Sequence, residues 1–318
     1  MTKLTRNETA RWLAGQDGYV ILTHRRPDGD TLGSAAGLCL ALRSLGKQAW
    51  VLENPEITDR FAWLLAGLTR PDMPEDGLAV AVDVAAPNML PEKHAGLADR
   101  VALRIDHHGT ATSFAQRELV VPESAAAAEI VYDLLPLMGV RMDERIATAL
   151  YVGTSTDTGC FRFANTTRHS FLVAADCCGA GAPVYRLNQE LFETNSLARL
   201  RMQGWIVENM KLMLDGKLAL VAIPKTLERE LGVTADDMDS ISGFPRTVAG
   251  VCMAATLRQT PGGSKLSVRA IPGWDAAALC AQFGGGGHKG AAGAEIPMPL
   301  EKAAQAVEKA MLEGTVRE

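Results

Sequence analysis

Short apolar runs that end in polar or charged residues recur along the first part of the chain. The strand-like runs are GYVILTH, QAWVLE, LAVAVDV, RVALRIDHH and, with a first part that also fits a helix, ATALYVGTSTDTG. Strands buried on both faces show such near-continuous apolar runs. Helical periodicity follows the first run in TLGSAAGLCLALRSLG and stops at Gly46. Together these patterns predict an α/β fold with a mainly parallel N-terminal sheet flanked by helices.

The pattern changes after a helical stretch from about Gln189 to Leu214, which we interpret as a connector. KLALVAIP, VAGVCMAATLRQ and KLSVRAI, the last two around a PGG turn, indicate a small sheet with a hairpin. DAAALCAQF and the tail LEKAAQAVEKAMLEG indicate helices, the tail helix stopping at Gly314. We therefore predict a larger α/β domain over residues 1–188, a helical linker over 189–215 and a smaller α/β domain over 216–318.

Composition places the chain among globular proteins. Its 318 residues are 47% hydrophobic and 22% charged, enough for a sizeable core and for two domains with a ligand site between them. The apolar stretches are shorter than the ~20 residues that a membrane span requires, so we expect no membrane segment. The six cysteines form no CxxC pair and the N-terminus lacks an apolar signal core, so we expect a reducing cytoplasm.

Charge narrows the class of substrate. The net charge is −5, whereas a protein that grips many phosphates of a long nucleic acid usually carries a basic face. We therefore expect small nucleotides or short RNA as partners, with no long duplex and no membrane surface.

Candidate metal ligands cluster where the predicted strands end. They are His24, Asp28 and Asp30 in THRRPDGDTLG, Asp83 after LAVAV, Asp106, His107 and His108 after VALRI, and Asp157 in GTSTDTG. A single Asp at such a position usually only caps a turn or helix. Four separate ends supply these residues, however, and two adjacent histidines occur in a chain that has only six. The set predicts a metal centre rather than four unrelated caps.

The donor types indicate the metal and the chemistry. Carboxylate oxygen and imidazole nitrogen suit Mn²⁺, Fe²⁺ or Zn²⁺, and Mn²⁺ is the preferred assignment. Two such ions side by side are the arrangement that activates water against a phosphate ester. The sequence therefore predicts a phosphoesterase with two divalent ions.

At these residues the chain resembles the DHH phosphoesterase superfamily, named for a triplet that here is Asp106-His107-His108. HRRPDGDTLGS is similar to the family's first motif, Val82-Asp83 to its second, IDHH to its third and GTSTDTGCFRF to its fourth. FGGGGHKGAAG, preceded by KLSVRA, resembles the glycine-rich associated domain of the nanoRNase and pAp-phosphatase branch. The resemblance thus spans nearly the whole chain, and it is also compatible with a homodimer.

The resemblance implies a role for each site residue. His24 and Asp28 would hold one metal, Asp30, His107 and Asp157 the second, and Asp83 would bridge them. His108 would contact the substrate phosphate or protonate the leaving oxygen, and Asp106 would orient a histidine. The residues implied for binding the other end of the substrate are Arg269, Gly286, Gly287 and His288.

Two departures from the family pattern concern substrate preference. The triplet is followed by GTATSF, without the asparagine that is frequent there, and VDVAAPNMLP lacks an arginine that many relatives carry. Neither departure removes a predicted metal ligand. Residues beside the metal core would meet the sugar or the leaving group, so substrate choice is the property that these changes affect.

Three functions remain to be compared. The first is hydrolysis of short oligoribonucleotides and linear dinucleotides to 5′-mononucleotides, together with conversion of pAp to AMP. The second is a soluble phosphodiesterase for cyclic di-AMP or its linear product pApA, which the same metals would serve. The third is a catalytically silent nucleotide-binding module, whose mark would be missing metal ligands, and none of the expected ligands is missing.

Overall fold

The computed structural model describes residues 1–109, 112–238 and 241–313 and forms two compact units. The first is Met1–Thr194 and the second begins at Asn195, a division that lies inside the predicted linker 189–215. Within the described ranges no helix combines the length and apolar character needed to cross a bilayer. The predicted helix stop at Gly314 lies outside the described residues.

Among its described residues, the first unit forms a seven-stranded sheet in the order β1-β7-β6-β5-β2-β3-β4, with all neighbours parallel. The strands are β1 (Thr2–Lys3), β2 (Tyr19–Leu22), β3 (Ala49–Leu52), β4 (Thr69–Arg70), β5 (Leu78–Val82), β6 (Val101–Asp106) and β7 (Arg117–Val120). The prediction of a parallel sheet is confirmed. The predicted runs account for β2, β3, β5 and β6, whose residues are almost entirely buried.

Helices cover this sheet. They are α1 (Arg6–Gly15), α2 (Gly29–Ser44), α3 (Asp59–Ala62), α4 (Ala127–Leu137), α5 (Glu144–Asp157), α6 (Arg168–Gly179) and α7 (Val184–Asn188). Tighter 3₁₀ turns occupy Trp63–Leu65, Pro87–Met89 and Glu92–Arg100, and a wider π turn occupies Gln189–Glu193. The helices bury aliphatic side chains against the sheet, and these form the main core of the unit.

The interpretation of ATALYVGTSTDTG as a strand is wrong and its helical alternative is confirmed, because residues 147–157 lie in α5 and only Thr158 and Gly159 follow the helix. The helix begins with the Asp143 side chain accepting a hydrogen bond from the Ile146 backbone, and it packs against α2, α4 and α6. A helix covered on several sides has an unbroken apolar run, which periodicity alone does not separate from a buried strand. Asp157 is therefore the last residue of a helix, and not a residue that follows a strand.

Glycines let α2 and α5 approach each other closely. A Cβ atom on Gly33 would lie 2.4 Å from the Ala149 carbonyl oxygen of α5, and one on Gly153 would lie 3.0 Å from Asp30 Oδ1 in α2 and 2.5 Å from the Ala128 Cβ in α4. Real Cβ atoms do not come this near to such neighbours, so both positions need glycine. This contact brings Asp30 at the start of α2 close to Asp157 at the end of α5.

The second unit has, in its described part, a six-stranded mixed sheet in the order β12-β13-β11-β10-β9-β8. Its strands are β8 (Lys211–Met213), β9 (Leu218–Ile223), β10 (Met253–Thr260), β11 (Gly263–Ala270), β12 (Gly286–His288) and β13 (Ala291–Ile296). Its helices are α8 (Leu197–Asn209), α9 (Lys225–Leu231), α10 (Ala276–Ala281) and α11 (Leu300–Leu312), with a 3₁₀ segment at Ile241–Thr247. The smaller α/β domain and its β10-β11 hairpin are confirmed.

The predicted connector is not one continuous helix. Its last helical part ends at Asn209, and Lys211–Met213 instead pairs with β9 as strand β8. The apolar residues Leu212 and Leu214 extend the apolar pattern beyond Asn209, so the pattern placed the end of the helix too late. Helix α8 packs Met202 and Ile206 into a core with residues of β9, and it is therefore an element of the second unit.

Candidate active site

The first strand end supplies His24 and Asp28. His24 follows β2, and its Nδ1 lies 2.8 Å from the backbone carbonyl oxygen of Arg25, which directs Nε2 towards Asp28 and Asp83 at 3.6 and 3.5 Å. Asp28 caps α2 by accepting hydrogen bonds from the backbone amides of Asp30 and Thr31. Its side chain is 57% exposed, so this residue forms the open rim of the site.

Asp83 lies at the centre of the cluster. It follows β5 directly, its φ is +55°, and its backbone amide donates to the Ile105 carbonyl at 2.9 Å. A non-glycine residue in this left-handed region is strained, and strain of this kind is characteristic of functional sites. The turn points the carboxylate between two imidazoles, with Oδ2 at 3.5 Å from His24 Nε2 and Oδ1 at 3.4 Å from His107 Nε2.

Asp30, His107 and Asp157 form the second side of the cluster. His107 Nε2 lies 3.8 Å from an Asp30 oxygen and 3.7 Å from an Asp157 oxygen. Its Nδ1 lies 3.2 Å from the Ser124 carbonyl oxygen, a contact that fixes the ring orientation. Asp30 accepts hydrogen bonds from the backbone amides of Ala127 and Ala128 at 2.7 and 2.9 Å.

The six side chains around this centre, four carboxylates and two imidazoles, carry an excess of negative charge. Burial and the neighbouring carboxylates of Asp83 and Asp157 raise the pKa of Asp30 well above its usual range. Burial, with Asp83 and Asp28, raises the pKa of Asp157 to about 7 although His107 opposes the change. Carboxylates resist ionisation in this way when no cation compensates them.

The pKa values of the two histidines are raised as well, but here the neighbouring carboxylates are the cause and burial opposes them. Burial lowers the pKa of His24, but hydrogen bonds and charge from Asp28 and Asp83 outweigh it and raise the value to about 11. Burial likewise lowers the pKa of His107, whereas Asp83, Asp30 and Asp157 raise it to about 10. Each imidazole thus holds a proton at the place where the surrounding oxygens demand a positive charge.

These residues fit divalent metal ions. Ligand atoms of His24, Asp28 and Asp83 lie within 4.8 Å of one another, and so do those of Asp30, His107 and Asp157. The Oδ1 atom of Asp83 is buried and finds no hydrogen-bond partner among the described residues. A buried carboxylate oxygen without a partner is costly unless a cation satisfies it. The donor set, carboxylate and imidazole, is the one that Mn²⁺ and similar ions accept.

Asp106 holds His108 beside this centre. Its Oδ1 accepts from the His107 and His108 amides and lies 2.8 Å from His108 Nδ1. That hydrogen bond raises the pKa of His108, and burial opposes it. His108 Nδ1 also lies 3.5 Å from Asp83, but the shorter contact to Asp106 makes it a hydrogen-bond donor rather than a metal ligand. Its Nε2 is the nitrogen left for another partner.

Sequence reasoning missed two residues that support the site. Arg104 is a charged residue within the buried strand β6, and a charge inside an apolar run is the sequence signal that could have identified it. It donates to the carbonyls of Ala85 and Thr112 and lies 3.7 Å from Asp106. Asn54 is buried and donates to the His24 carbonyl at 2.9 Å, a role without any local sequence signal.

The glycine-rich segment of the second unit forms a strand. His288 on β12 and Arg269 on β11 both pair with Ala291 of β13, which lies between them. Cross-strand partners share one face of a sheet, so the structure brings the two predicted binding residues into one row with a small residue between them. A Cβ on Gly287 would lie 2.6 Å from the Ala291 carbonyl, so glycine is needed for strand pairing itself.

Family models match both units. The model of the DHH family, N-terminal domain, matches residues 19–154, and the model of the DHHA1 domain matches residues 215–313. The first match includes His24, Asp83 and the Asp106-His107-His108 triplet. The second includes both Arg269 and the glycine-rich strand.

Curated relatives extend this similarity over almost the whole chain. A bifunctional oligoribonuclease and PAP phosphatase NrnA from Thermus thermophilus is 34% identical over 93% of this chain and 90% of its own length. The protein of the same description from Bacillus subtilis is 25% identical over 92% of this chain and 93% of its own.

Solved structures include a protein of the same fold. An exopolyphosphatase-related protein from Bacteroides fragilis superposes with a TM-score of 0.84 and 25% identity, over 98% of this chain and 96% of that one. The similarity therefore covers both units of the fold.

Proposed function

Because the chain belongs to the DHH family and carries the associated DHHA1 domain, we propose that it is a metal-dependent phosphoesterase of the NrnA type. It hydrolyses short oligoribonucleotides and linear dinucleotides to 5′-mononucleotides and dephosphorylates pAp to AMP. The names of relatives that are 34% and 25% identical over more than nine-tenths of the chain support this substrate class.

The observation that carries the proposal is the position of Asp83 between two groups of ligands. One carboxylate oxygen faces His24 and the other faces His107, while both histidines have carboxylate neighbours of their own. This arrangement suits one carboxylate shared by two cations.

The proposed cofactor is a pair of divalent ions, with Mn²⁺ preferred. His24, Asp28 and Asp83 would hold the first, and Asp30, His107, Asp157 and Asp83 would hold the second. When bound, such a pair supplies an acidified water and neutralises charge on a phosphoryl group. The chain contributes the fixed orientation of its ligands, since the backbone contacts of Asp30 and His107 hold both before any ion arrives.

His108 is proposed to contact the substrate phosphate and to protonate the leaving oxygen. Asp106 accepts a hydrogen bond from the His108 Nδ1–H and stabilises the imidazolium form, so Nε2 presents the other proton. The side chain is 35% exposed, which leaves it accessible to a substrate. Asp106 acts through His108 and is a positioning residue.

The second unit is proposed to bind the remaining part of the substrate. Arg269 and His288 share one row of the sheet with Ala291 between them, and an arginine offers paired donors that suit phosphate. Gly286 and Gly287 line β12 beside this row, where their lack of side chains leaves the backbone accessible. A row of two basic side chains can bind only a few phosphates. This agrees with the acidic net charge and favours short substrates.

The test is a substrate panel with purified protein and Mn²⁺. We expect turnover of pAp, pApA, pGpG and short RNA, with a decline as the RNA becomes longer, and no turnover after chelation or in Asp83→Asn. Cyclic di-AMP and inorganic polyphosphate complete the panel. Faster opening of cyclic di-AMP than cleavage of pApA would favour the cyclic dinucleotide alternative, and failure on every compound would contradict the proposal.

The same experiment distinguishes an active enzyme from a catalytically silent binding module. Turnover by the wild-type protein that disappears in Asp83→Ala excludes it. A protein that binds pAp without turnover at any metal concentration would instead support the silent module.

A further inference from the structure

One backbone segment, residues 124–128, contacts two of the four ligands proposed for the second metal position and is connected to a third, Asp157, through a neighbouring side chain. The Ser124 carbonyl faces His107 Nδ1 at 3.2 Å, and the amides of Ala127 and Ala128 donate to Asp30. The connection to Asp157 runs through Asn165, described below. We call residues 124–128 the brace. Its residues are buried, so they have little room to move.

Two side chains outside the ligand set hold the brace in place. Glu129 is fully buried and accepts a hydrogen bond from the Ala125 amide at 3.0 Å. Asn165 donates from its Nδ2 to the Ala125 carbonyl and to the Asp157 carbonyl, both at 3.1 Å. Asn165 therefore connects the brace to the last residue of α5.

We propose that Glu129 and Asn165 are positioning residues that set the geometry of the second metal position without touching an ion. Loss of a side chain that orients a metal ligand typically weakens metal affinity by about 10- to 100-fold. Asn165 suits this task because one amide nitrogen carries two protons for two carbonyl oxygens. A carboxylate of the same shape has no proton to offer and would face both carbonyls with negative charge. The inference rests on the two-ion site proposed above.

The experiment titrates metal-stripped protein with Mn²⁺ by calorimetry, with free and bound Mn²⁺ followed by electron paramagnetic resonance. Wild type should bind two ions. In Asn165→Ala and Asn165→Asp, one binding event should weaken by about 10- to 100-fold while the other is retained, and the Asp variant should be the weaker of the two. Glu129→Gln keeps an acceptor for the Ala125 amide and should have a smaller effect than Glu129→Ala.

The exposed Asn165 decides the outcome, because Glu129→Ala removes a buried anchor and puts folding at risk. Asn188→Ala is the matched control, since Asn188 also contacts α5, through Tyr151, but does not contact the brace. Circular dichroism checks that each variant is folded. Folded Asn165 variants with two wild-type binding events, or with both events weakened equally, would overturn the proposal. A wild-type protein that binds fewer than two ions would instead contradict the two-ion site itself.

Discussion

Single residues in this site are arranged around a charge that the protein does not supply. Asp30 and Asp83 are 1% and 3% exposed, and buried carboxylates are unfavourable unless a cation lies beside them. Burial and neighbouring charge raise the pKa of Asp157 to about 7. In the metal-free protein, protons therefore compensate the negative charge that a metal ion would otherwise neutralise. Metal ions and protons therefore compete for the same oxygens and nitrogens.

This competition predicts a pH-dependent effect of Mn²⁺ on stability. The raised pKa values of Asp157, His24 and His107 stabilise the metal-free fold at low pH, and this contribution is lost as pH rises through each folded value. From pH 6 to pH 8 the metal-free protein should lose thermal stability. Mn²⁺ affinity should rise by up to about tenfold per pH unit for each proton displaced. Differential scanning fluorimetry with and without Mn²⁺ measures both trends.

Potassium chloride at matched ionic strength is the control for general salt effects. A rise in melting temperature with Mn²⁺ that is equal at pH 6 and pH 8 would contradict proton competition.

A second prediction concerns Asp106→Asn. The hydrogen bond to Asp106 raises the pKa of His108, so the variant should lose its protonated imidazole at lower pH than wild type. A proton donor is active only below its pKa, and the alkaline limb of kcat should therefore move to lower pH. His108→Ala should reduce kcat by about 10²- to 10⁴-fold, the usual contribution of a general acid. Rates on pAp across a pH series measure both effects.

Asp133→Asn is a control from the same unit, because Asp133 pairs with Arg6. Its pH profile should follow that of wild type. An unshifted alkaline limb in folded Asp106→Asn would remove Asp106 as the residue that positions His108.

At the scale of helices and strands, the sequence predicts some elements well and others not at all. Strands β2, β5 and β6 were predictable because each is an apolar run closed by a polar residue, and that same rule located His24, Asp83 and the triplet. Helix α5 was mistaken for a strand because burial on several sides removes polar alternation. Strands β1 and β4 have two residues each, too few to leave a pattern. Roles such as those of Asn54 and Asn165 depend on neighbours distant in sequence.

The contact between α2 and α5 yields a prediction about Gly33→Ala. The added methyl group would lie 2.4 Å from the Ala149 carbonyl oxygen, so one helix must move. Overpacking of this kind costs about 1–3 kcal/mol, and the shift would separate Asp30 from Asp157. We expect a lower free energy of unfolding in urea and weaker Mn²⁺ binding in the same variant.

Gly204→Ala is the matched control for this change. Gly204 is exposed in the middle of α8, and an added Cβ would meet no atom within 4 Å. Alanine there should stabilise the protein by about 0.5–1 kcal/mol. A Gly33→Ala variant as stable as wild type would contradict this prediction, because it would show that α2 and α5 can accommodate a methyl group at this contact.

The whole molecule divides its chemistry between two units. The first holds the carboxylates and imidazoles, and the second holds Arg269, His288 and the glycine-rich strand. With 32 basic and 37 acidic residues, the chain offers little general attraction for a polyanion. Substrate affinity then depends on a few directed contacts and on the metal centre, and these two sources should respond separately to mutation.

Arg269→Ala tests this separation. Loss of a charge-assisted hydrogen bond costs about 1.5–3 kcal/mol, so KM for pAp should rise by about 10- to 100-fold while two Mn²⁺ ions remain bound. Arg269→Lys should recover part of the affinity, because lysine keeps the charge but not the paired donors. Lys265→Ala, which removes a charge from the same face of β11 outside the His288 row, should leave KM unchanged. If metal content and activity fell together in Arg269→Ala, this residue would belong with the metal centre and not with substrate binding.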